Sequence, residues 1–472
     1  MLFSSFLTLL VLSTLTNSTT MNNSNNKISY NTMMGHYMLL NRLGMLVLSY
    51  MLILFMNSMN MMSLKPGLTL FNNWFSLTSY NLPLMILIIL LIISLLIYST
   101  NTMYKNTSSP YLVLLMLANS MGLLLFPTVN DLLALYMMME LQSYSLYLLT
   151  GLHNRSYNAS RASLLYFLMG GVASAIMLLA IYFIYSLTGT TNLSDTSMLN
   201  SLSTNNTNFY FDMLLMALFF KMGLAPLHRW SIAVYNYAPT YITAYISMVA
   251  KMSISSWMFT NVMYFNYHIF MIFFYLSLVM GSYKPLYQMN MKTMLAYSGL
   301  LNFGYMMLSI MTYDISFYMY MMQYSLTHLM LFLSMLAANQ YTNKPRSMWS
   351  PLMYMHQLKL PNLTLAMCMI LALFSLMGMP PLPGFYAKLY MLMSALEDNY
   401  ILESLMLMVC SVMATYYYAN IIKVLMTSKT MKEVEGNMNN TLAYMMATMT
   451  LLLISFFTFL PFISEGLYLI TI

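Results

Sequence analysis

Apolar segments long enough to cross a bilayer recur from one end of this chain to the other, and few charges interrupt them. A helical span needs about 20 residues to cross roughly 30 Å of hydrocarbon. The bilayer core offers no hydrogen-bond partners, so a spanning segment must pair its backbone groups within itself, as a helix does. The alternating, turn-rich pattern of a membrane barrel is absent from the sequence. With 6% of 472 residues charged, 60% hydrophobic and a mean hydropathy of +0.68, the chain cannot present the surface a soluble domain needs. The fold class expected is an all-α membrane protein.

Apolar windows between polar breaks predict about fourteen helices, near 2–16, 37–62, 73–99, 110–126, 129–151, 162–187, 209–237, 238–260, 266–283, 291–312, 315–339, 360–396, 400–427 and 440–462. The first resembles a signal peptide in length but lacks a basic start and a small-residue cleavage site, so it reads as a short span. The polar stretches Asn17–Asn31, Thr188–Asn208 and Tyr341–Lys359 are too short for soluble domains. Residues 1–472 therefore read as one polytopic domain, with three N-terminal helices in 1–109 and a C-terminal helix in 428–472.

The net charge of +7 comes from 18 Lys and Arg with no basic run, which fits membrane topology and not nucleic-acid binding. Odd-numbered loops hold Lys27, Lys105, Arg155, Arg161, Arg229, Lys284, Lys292, Lys344, Arg346, Lys359, Lys429 and Lys432; even-numbered loops hold only Lys65. The positive-inside rule then puts the odd loops on the matrix or cytoplasmic side and both termini opposite. Cys368 and Cys410 lie singly in apolar segments, too few thiolates for an iron–sulfur cluster. No dinucleotide, P-loop or HExxH motif occurs, so redox chemistry must sit in other chains. The 59 Met and 40 Tyr fit an AT-rich organelle genome.

Two of the apolar segments, 209–237 and 360–396, are too long for one span, and both carry the pattern MGxxPL, at Met222–Leu227 and Met377–Leu382. Proline cannot continue the helical ladder and glycine permits a turn, so each helix is expected to unwind inside the membrane. Paired broken helices mark the ion site in transporters built from inverted repeats. Here the units would be five helices each, in 110–260 and 261–427. Two unrelated proline kinks are the plainer alternative.

Few charges remain inside spans. Glu140 lies in DLLALYMMMELQSYSLYLL, Lys221 precedes the first break, Lys251 is central in YITAYISMVAKMSISSWMF, and Lys388 follows the second break. A charge in a bilayer costs at least a few kcal/mol, so such groups face a hydrated interior and pair with one another. A lysine near a carboxylate can gain and lose a proton, which a relay requires. Against this stand snorkelling for a lysine near a helix end and a structural ion pair for Glu140. His228 in PLHRW and His328 in MMQYSLTHLMLFL could bridge lysine sites; each reads equally well as a satisfied core histidine. Asp131 reads as an interfacial charge.

ELQSYSLYLL around Glu140, FFKMGLAPLHRW around Lys221, AKMSI around Lys251, KTMLAYSGLLNFGYMML at 292–308 and GMPPLPGFYAK ending at Lys388 resemble the antiporter-like proton-translocating subunits of respiratory complex I. The resemblance covers about residues 110–427 and is nearest to a fungal, mitochondrially encoded form. It implies that Glu140, Lys221, Lys251 and Lys388 form a proton relay, with His228 and His328 on the same polar axis. It also implies that NAD, FMN, iron–sulfur clusters and ubiquinone are bound by other subunits, with no cofactor in this chain. The implied partners are other membrane-arm subunits, including neighbouring antiporter-like chains, and membrane lipids such as cardiolipin, in the mitochondrial inner membrane. A stand-alone cation/proton antiporter is the alternative.

Overall fold

The apolar windows condense into helices, as backbone self-sufficiency in a membrane demands. A computed structural model describes residues 1–21, 28–58, 68–102, 111–152, 156–196, 208–338, 362–427 and 438–471. Three helices come first, α1 (Leu2–Met21), α2 (Ile28–Ser58) and α3 (Leu82–Thr102), followed by α4 (Tyr111–Leu125), α5 (Leu132–Gly151) and α6 (Tyr157–Thr188). The segment 209–237 is broken into α7 (Asn208–Met222) and α8 (Arg229–Tyr237). Next come α9 (Thr240–Tyr245), a π turn (Ile246–Ala250) and α10 (Lys251–Thr260), then α11 (Tyr267–Tyr283), α12 (Met291–Thr312) and α13 (Ser316–Ala338). The segment 360–396 is likewise broken, into α14 (Leu363–Met377) and α15 (Pro383–Glu397), before α16 (Ile401–Met426) and α17 (Asn440–Thr471). Among the described residues ten helices are long and apolar enough to cross a membrane.

Burial sorts these helices into a centre and a rim. The spanning windows of α12 and α13 are 89% buried, whereas those of α2 and α17 are 22% and 17% buried and present their apolar side chains outward. A helix apolar all round and buried all round belongs to the core of a large bundle. Polar side chains within α12 and α13, such as Ser298, Asn302, Gln323 and His328, are therefore held in the protein interior, away from lipid.

The expectation of an all-helical chain needs one correction. Leu68–Leu70 and Phe75–Leu77 pair as a short antiparallel hairpin, and the third helix starts at Leu82 instead of near 73. The apolar run LTLFNNWFSLTSYNLPLM looks continuous with the span, but Asn72 and Asn73 adopt left-handed φ of 52° and 65°, a conformation asparagine tolerates. Pro83 fits the first turn of the helix that follows, where no N–H is needed. Phe75, 7% exposed, tucks the hairpin against Val129 just before α5.

The loop cations Lys27, Lys65, Lys105, Arg155, Lys344, Arg346, Lys359, Lys429 and Lys432 lie outside the described residues. Lys292 does not belong with them: it sits in the first turn of α12 and is 5% exposed. Its neighbour Asn290 ends the loop, so the sequence boundary was right and the side chain turned inward.

Candidate proton path

Glu140, Ser143 and Tyr147 fall at i, i+3 and i+7 on α5, hence on one face. That face meets the last turn of α7, where Lys221 Nζ stands 3.4 Å from Glu140 Oε1, with the two side chains 5% and 12% exposed. The same ammonium donates to the Tyr147 hydroxyl at 3.4 Å, and the Ser143 hydroxyl lies 3.4 Å from the other carboxylate oxygen. This is the one ion pair among the described residues. On the neighbouring face, Gln142 ties α5 to its surroundings: its carbonyl accepts from Asn119 at 2.8 Å, and its side-chain oxygen accepts from the Ser253 hydroxyl at 3.1 Å.

Both helix breaks turn on a glycine in left-handed backbone, Gly223 with φ of 68° and Gly378 with φ of 89°, which a side chain would strain. A broken helix frees carbonyls that need donors. After α7 the Trp230 indole donates to the Phe220 carbonyl at 3.0 Å. After α14 the corresponding task falls to Lys388, whose Nζ donates to the carbonyls of Leu376 at 2.9 Å and Met377 at 3.0 Å. Lysine at 388 thus caps the negative end of a half-helix inside the bundle, a favourable place for a cation.

Lys251 begins α10 directly after the π turn. π turns disturb the regular backbone pairing, and the Ser247 carbonyl within this one accepts from the Tyr324 hydroxyl at 3.1 Å. The Lys251 ammonium lies 5.2 Å from the Tyr235 ring centre and 4.9 Å from that of Phe303, so ring faces are its attractive surroundings. A cavity of about 20 Å³ joins Lys221 to Lys251 past Gln142 and Tyr235. That is room for one water. A second cavity, of about 10 Å³, is lined by Lys251, Lys292, Tyr324 and His328.

His328 Nδ1 contacts the Tyr324 carbonyl at 3.1 Å. A carbonyl only accepts, so that nitrogen carries a proton. Nε2 has no direct partner, in a side chain only 2% exposed that lines the second cavity. His228 is placed differently. It stands before α8 with Nδ1 3.2 Å from the Pro226 carbonyl and its ring 6.0 Å from Tyr297, and it lines neither cavity. The structure therefore joins Glu140, Lys221, Lys251 and His328 in one row, places Lys388 apart at the second break, and leaves His228 outside both cavities.

Lys292 is the residue that reading the sequence missed. Its Nζ donates to the Ala238 carbonyl at the end of α8, 2.7 Å away, and it shares the second cavity with Lys251 and His328. The available signal was its position inside the apolar window expected at 291–312, one residue past its start. Asp131, read as interfacial, is 5% exposed and caps α5 through Leu133 N at 2.8 Å, while its second oxygen accepts from Thr191 at 2.8 Å.

The family model for the NADH:quinone oxidoreductase/Mrp antiporter membrane region matches residues 129–415, which contain the whole row. NADH-ubiquinone oxidoreductase chain 2 of Debaryomyces hansenii is 64% identical over 435 residues, covering 92% of this chain and 96% of that protein. The Candida albicans protein of the same name is 49% identical over 434 residues, covering 91% of each. Among solved structures, respiratory complex I from Thermus thermophilus with bound aureothin aligns with a TM-score of 0.76 at 21% identity, over 96% of this chain and 97% of that one. The Mrp complex from Dietzia aligns with a TM-score of 0.80 at 17% identity, over 98% and 95%. With the matched region enclosing every residue of the row, the chain belongs to the antiporter-like membrane subunits of NADH:quinone oxidoreductase, in the NADH-ubiquinone oxidoreductase chain 2 family.

Proposed function

We propose that this membrane-arm subunit of proton-translocating NADH:ubiquinone oxidoreductase moves protons along Glu140, Lys221, Lys251, His328 and Lys388, with Lys292 admitting them at the odd-loop end. The observation that carries this reading is the buried Lys221–Glu140 contact opening through a water-sized cavity onto Lys251. Buried charges on separate helices are costly as mere struts, because well-packed apolar residues would hold the helices at least as well. A lysine that exchanges its proton beside a carboxylate and a water explains the expense.

The same reading takes the fold as fourteen spans, with α4 to α10 and α11 to α16 as two inverted units of five spans, each holding one broken helix. Both termini then face the intermembrane space and the odd loops the matrix of a mitochondrion, with the inner membrane as the home of the complex. Redox steps on NAD, FMN, iron–sulfur clusters and ubiquinone belong to other subunits. Neighbouring antiporter-like chains and lipids such as cardiolipin cover the apolar rim. His228, outside the row, serves the packing of the first break against α12.

A stand-alone cation/proton antiporter would use the same lysines. The likeness to the Mrp complex is at 17% identity and speaks for the fold alone. The test is Lys251→Met in complex I reconstituted in sealed vesicles, reading protons moved per NADH oxidised. The ratio is expected to fall while complex I is still recovered intact; an unchanged ratio would sink the relay.

A further inference from the structure

The stretch from His328 to Lys388 is spanned by tyrosines. Tyr320, Tyr324 and His328 fall at i, i+4 and i+8 on α13, a single stripe facing inward. Against it stand Asn302 and Tyr305 on α12 and Tyr417 and Tyr418 on α16. Each of the five residues Asn302, Tyr305, Tyr320, Tyr417 and Tyr418 is at most 4% exposed.

Burial on this scale normally comes with paired hydrogen bonds. Here one direct bond joins two of the five, from the Tyr320 hydroxyl to Asn302 Oδ1 at 3.0 Å. The hydroxyls of Tyr305, Tyr417 and Tyr418 and the Asn302 amide nitrogen have no direct partner. A buried polar group left unpaired is costly, and phenylalanine would fill the same space without that cost. These groups are neighbours within hydrogen-bonding reach: the Tyr418 hydroxyl lies by Ser298, Asn302 and Tyr417, and the Tyr305 hydroxyl by Ser411.

The cluster also reaches both ends of the gap. The Tyr324 ring lies 4.0 Å from that of His328, and Tyr324 is within electrostatic reach of Tyr418 and Tyr320. Tyr320 stacks on Tyr305 at 5.5 Å, and Lys388 Nζ lies 5.5 Å from the Tyr305 ring centre.

We propose that Tyr305, Tyr320, Tyr417 and Tyr418, with Asn302, form a water-bridged hydroxyl relay that passes protons between the Lys251–His328 chamber and Lys388. A hydroxyl both donates and accepts, so it takes a proton from one side as its own leaves on the other. One O–H bond forms and one breaks, no charge stays on the ring, and nothing is oxidised or reduced. Lys388, in its amine form, receives the proton at Nζ. The proposal rests on the lysine row described above.

The experiment is the double variant Tyr305→Phe, Tyr418→Phe in intact complex I in sealed vesicles, with Tyr418→Phe alone in parallel should the double variant assemble poorly. Pumping is expected to fall roughly tenfold or more, short of the full contribution of a positioned proton-transfer group because water partly replaces the hydroxyl. The solvent deuterium isotope effect on the residual rate should rise. Tyr318→Phe is the control: it is a buried tyrosine of the same helix whose hydroxyl donates to the Tyr80 carbonyl at 2.9 Å, and its loss should lower stability and leave protons per NADH unchanged. If the tyrosine variants pump as the parent does while Lys388→Met does not pump, the hydroxyl relay is wrong and the lysine row stands. Were Lys388→Met silent as well, the row itself would fall and the relay with it.

Discussion

Lys221→Arg separates the two things Lys221 supplies, a positive charge and an exchangeable proton. At 3.4 Å the ammonium and the Glu140 carboxylate attract by about 5 kcal/mol at an effective dielectric of about 20. Arginine preserves that attraction but does not give up its proton in a protein. Its extra bulk has somewhere to go, since the cavity of about 20 Å³ begins at Lys221. Lys221→Met, by contrast, leaves Glu140 as a carboxylate 12% exposed with the Ser143 hydroxyl at 3.4 Å, and breaking such a pair destabilises by about 3–5 kcal/mol. Adding Glu140→Gln to Lys221→Met removes the stranded charge and should return most of that loss. Three outcomes are therefore expected: Lys221→Arg gives normal amounts of complex I without proton transfer, Lys221→Met gives reduced amounts without transfer, and the double variant recovers amount but not transfer. The amount is read as NADH dehydrogenase activity comigrating with the complex on native gels, and transfer as protons moved per NADH oxidised in sealed vesicles. Parent-like proton transfer in Lys221→Arg would refute the reasoning, because a fixed charge would then suffice.

The second break offers two further checks. Lys388→Met strips the donors from the Leu376 and Met377 carbonyls, at about 1–3 kcal/mol for each group left unpaired, and should both loosen α14 in hydrogen exchange and stop proton transfer. Gly378→Ala places a Cβ 3.2 Å from Lys388 Cδ at a φ of 89°, so it should cost more than about 1 kcal/mol and lower the pumping rate by displacing the lysine; normal pumping would show that the Lys388 position tolerates movement.

How much of this was legible in the sequence depended on whether a residue was rare. Charges are rare here, so Glu140, Lys221, Lys251 and Lys388 stood out; the structure buries Lys221 and Lys251 and leaves Glu140 and Lys388 half-buried. The breaks were legible because MGxxPL names both the left-handed glycine and the proline. Lys292 was lost through a boundary effect: a lysine in the first turn of a helix reads as a loop charge, and only packing against the end of α8 turns it inward. The hairpin at 68–77 was lost because its residues are as apolar as the span they precede. Tyr305, Tyr320, Tyr417 and Tyr418 could not be singled out among 40 tyrosines, because what distinguishes them is their gathering around Asn302, a property of three helices meeting and of no local pattern.

The three lysines of the row are compensated unequally, and the inequality has a direction. Lys221 has a carboxylate, Lys388 has two carbonyls at the negative end of a half-helix, and Lys251 has the faces of Tyr235 and Phe303. In a low-dielectric interior a carboxylate offsets a cation most strongly, and ring faces, worth about 2 kcal/mol when desolvated, least. Charge is thus held better at the two ends of the row than at its centre. In the proposed relay, a proton leaving Lys221 for Lys251 arrives at the least compensated position, and onward passage to Lys388 relieves that cost. In the same proposed relay, a change in the Lys221–Glu140 contact at one end alters the charge that Lys251 and Lys388 face, with no side chain touching both ends.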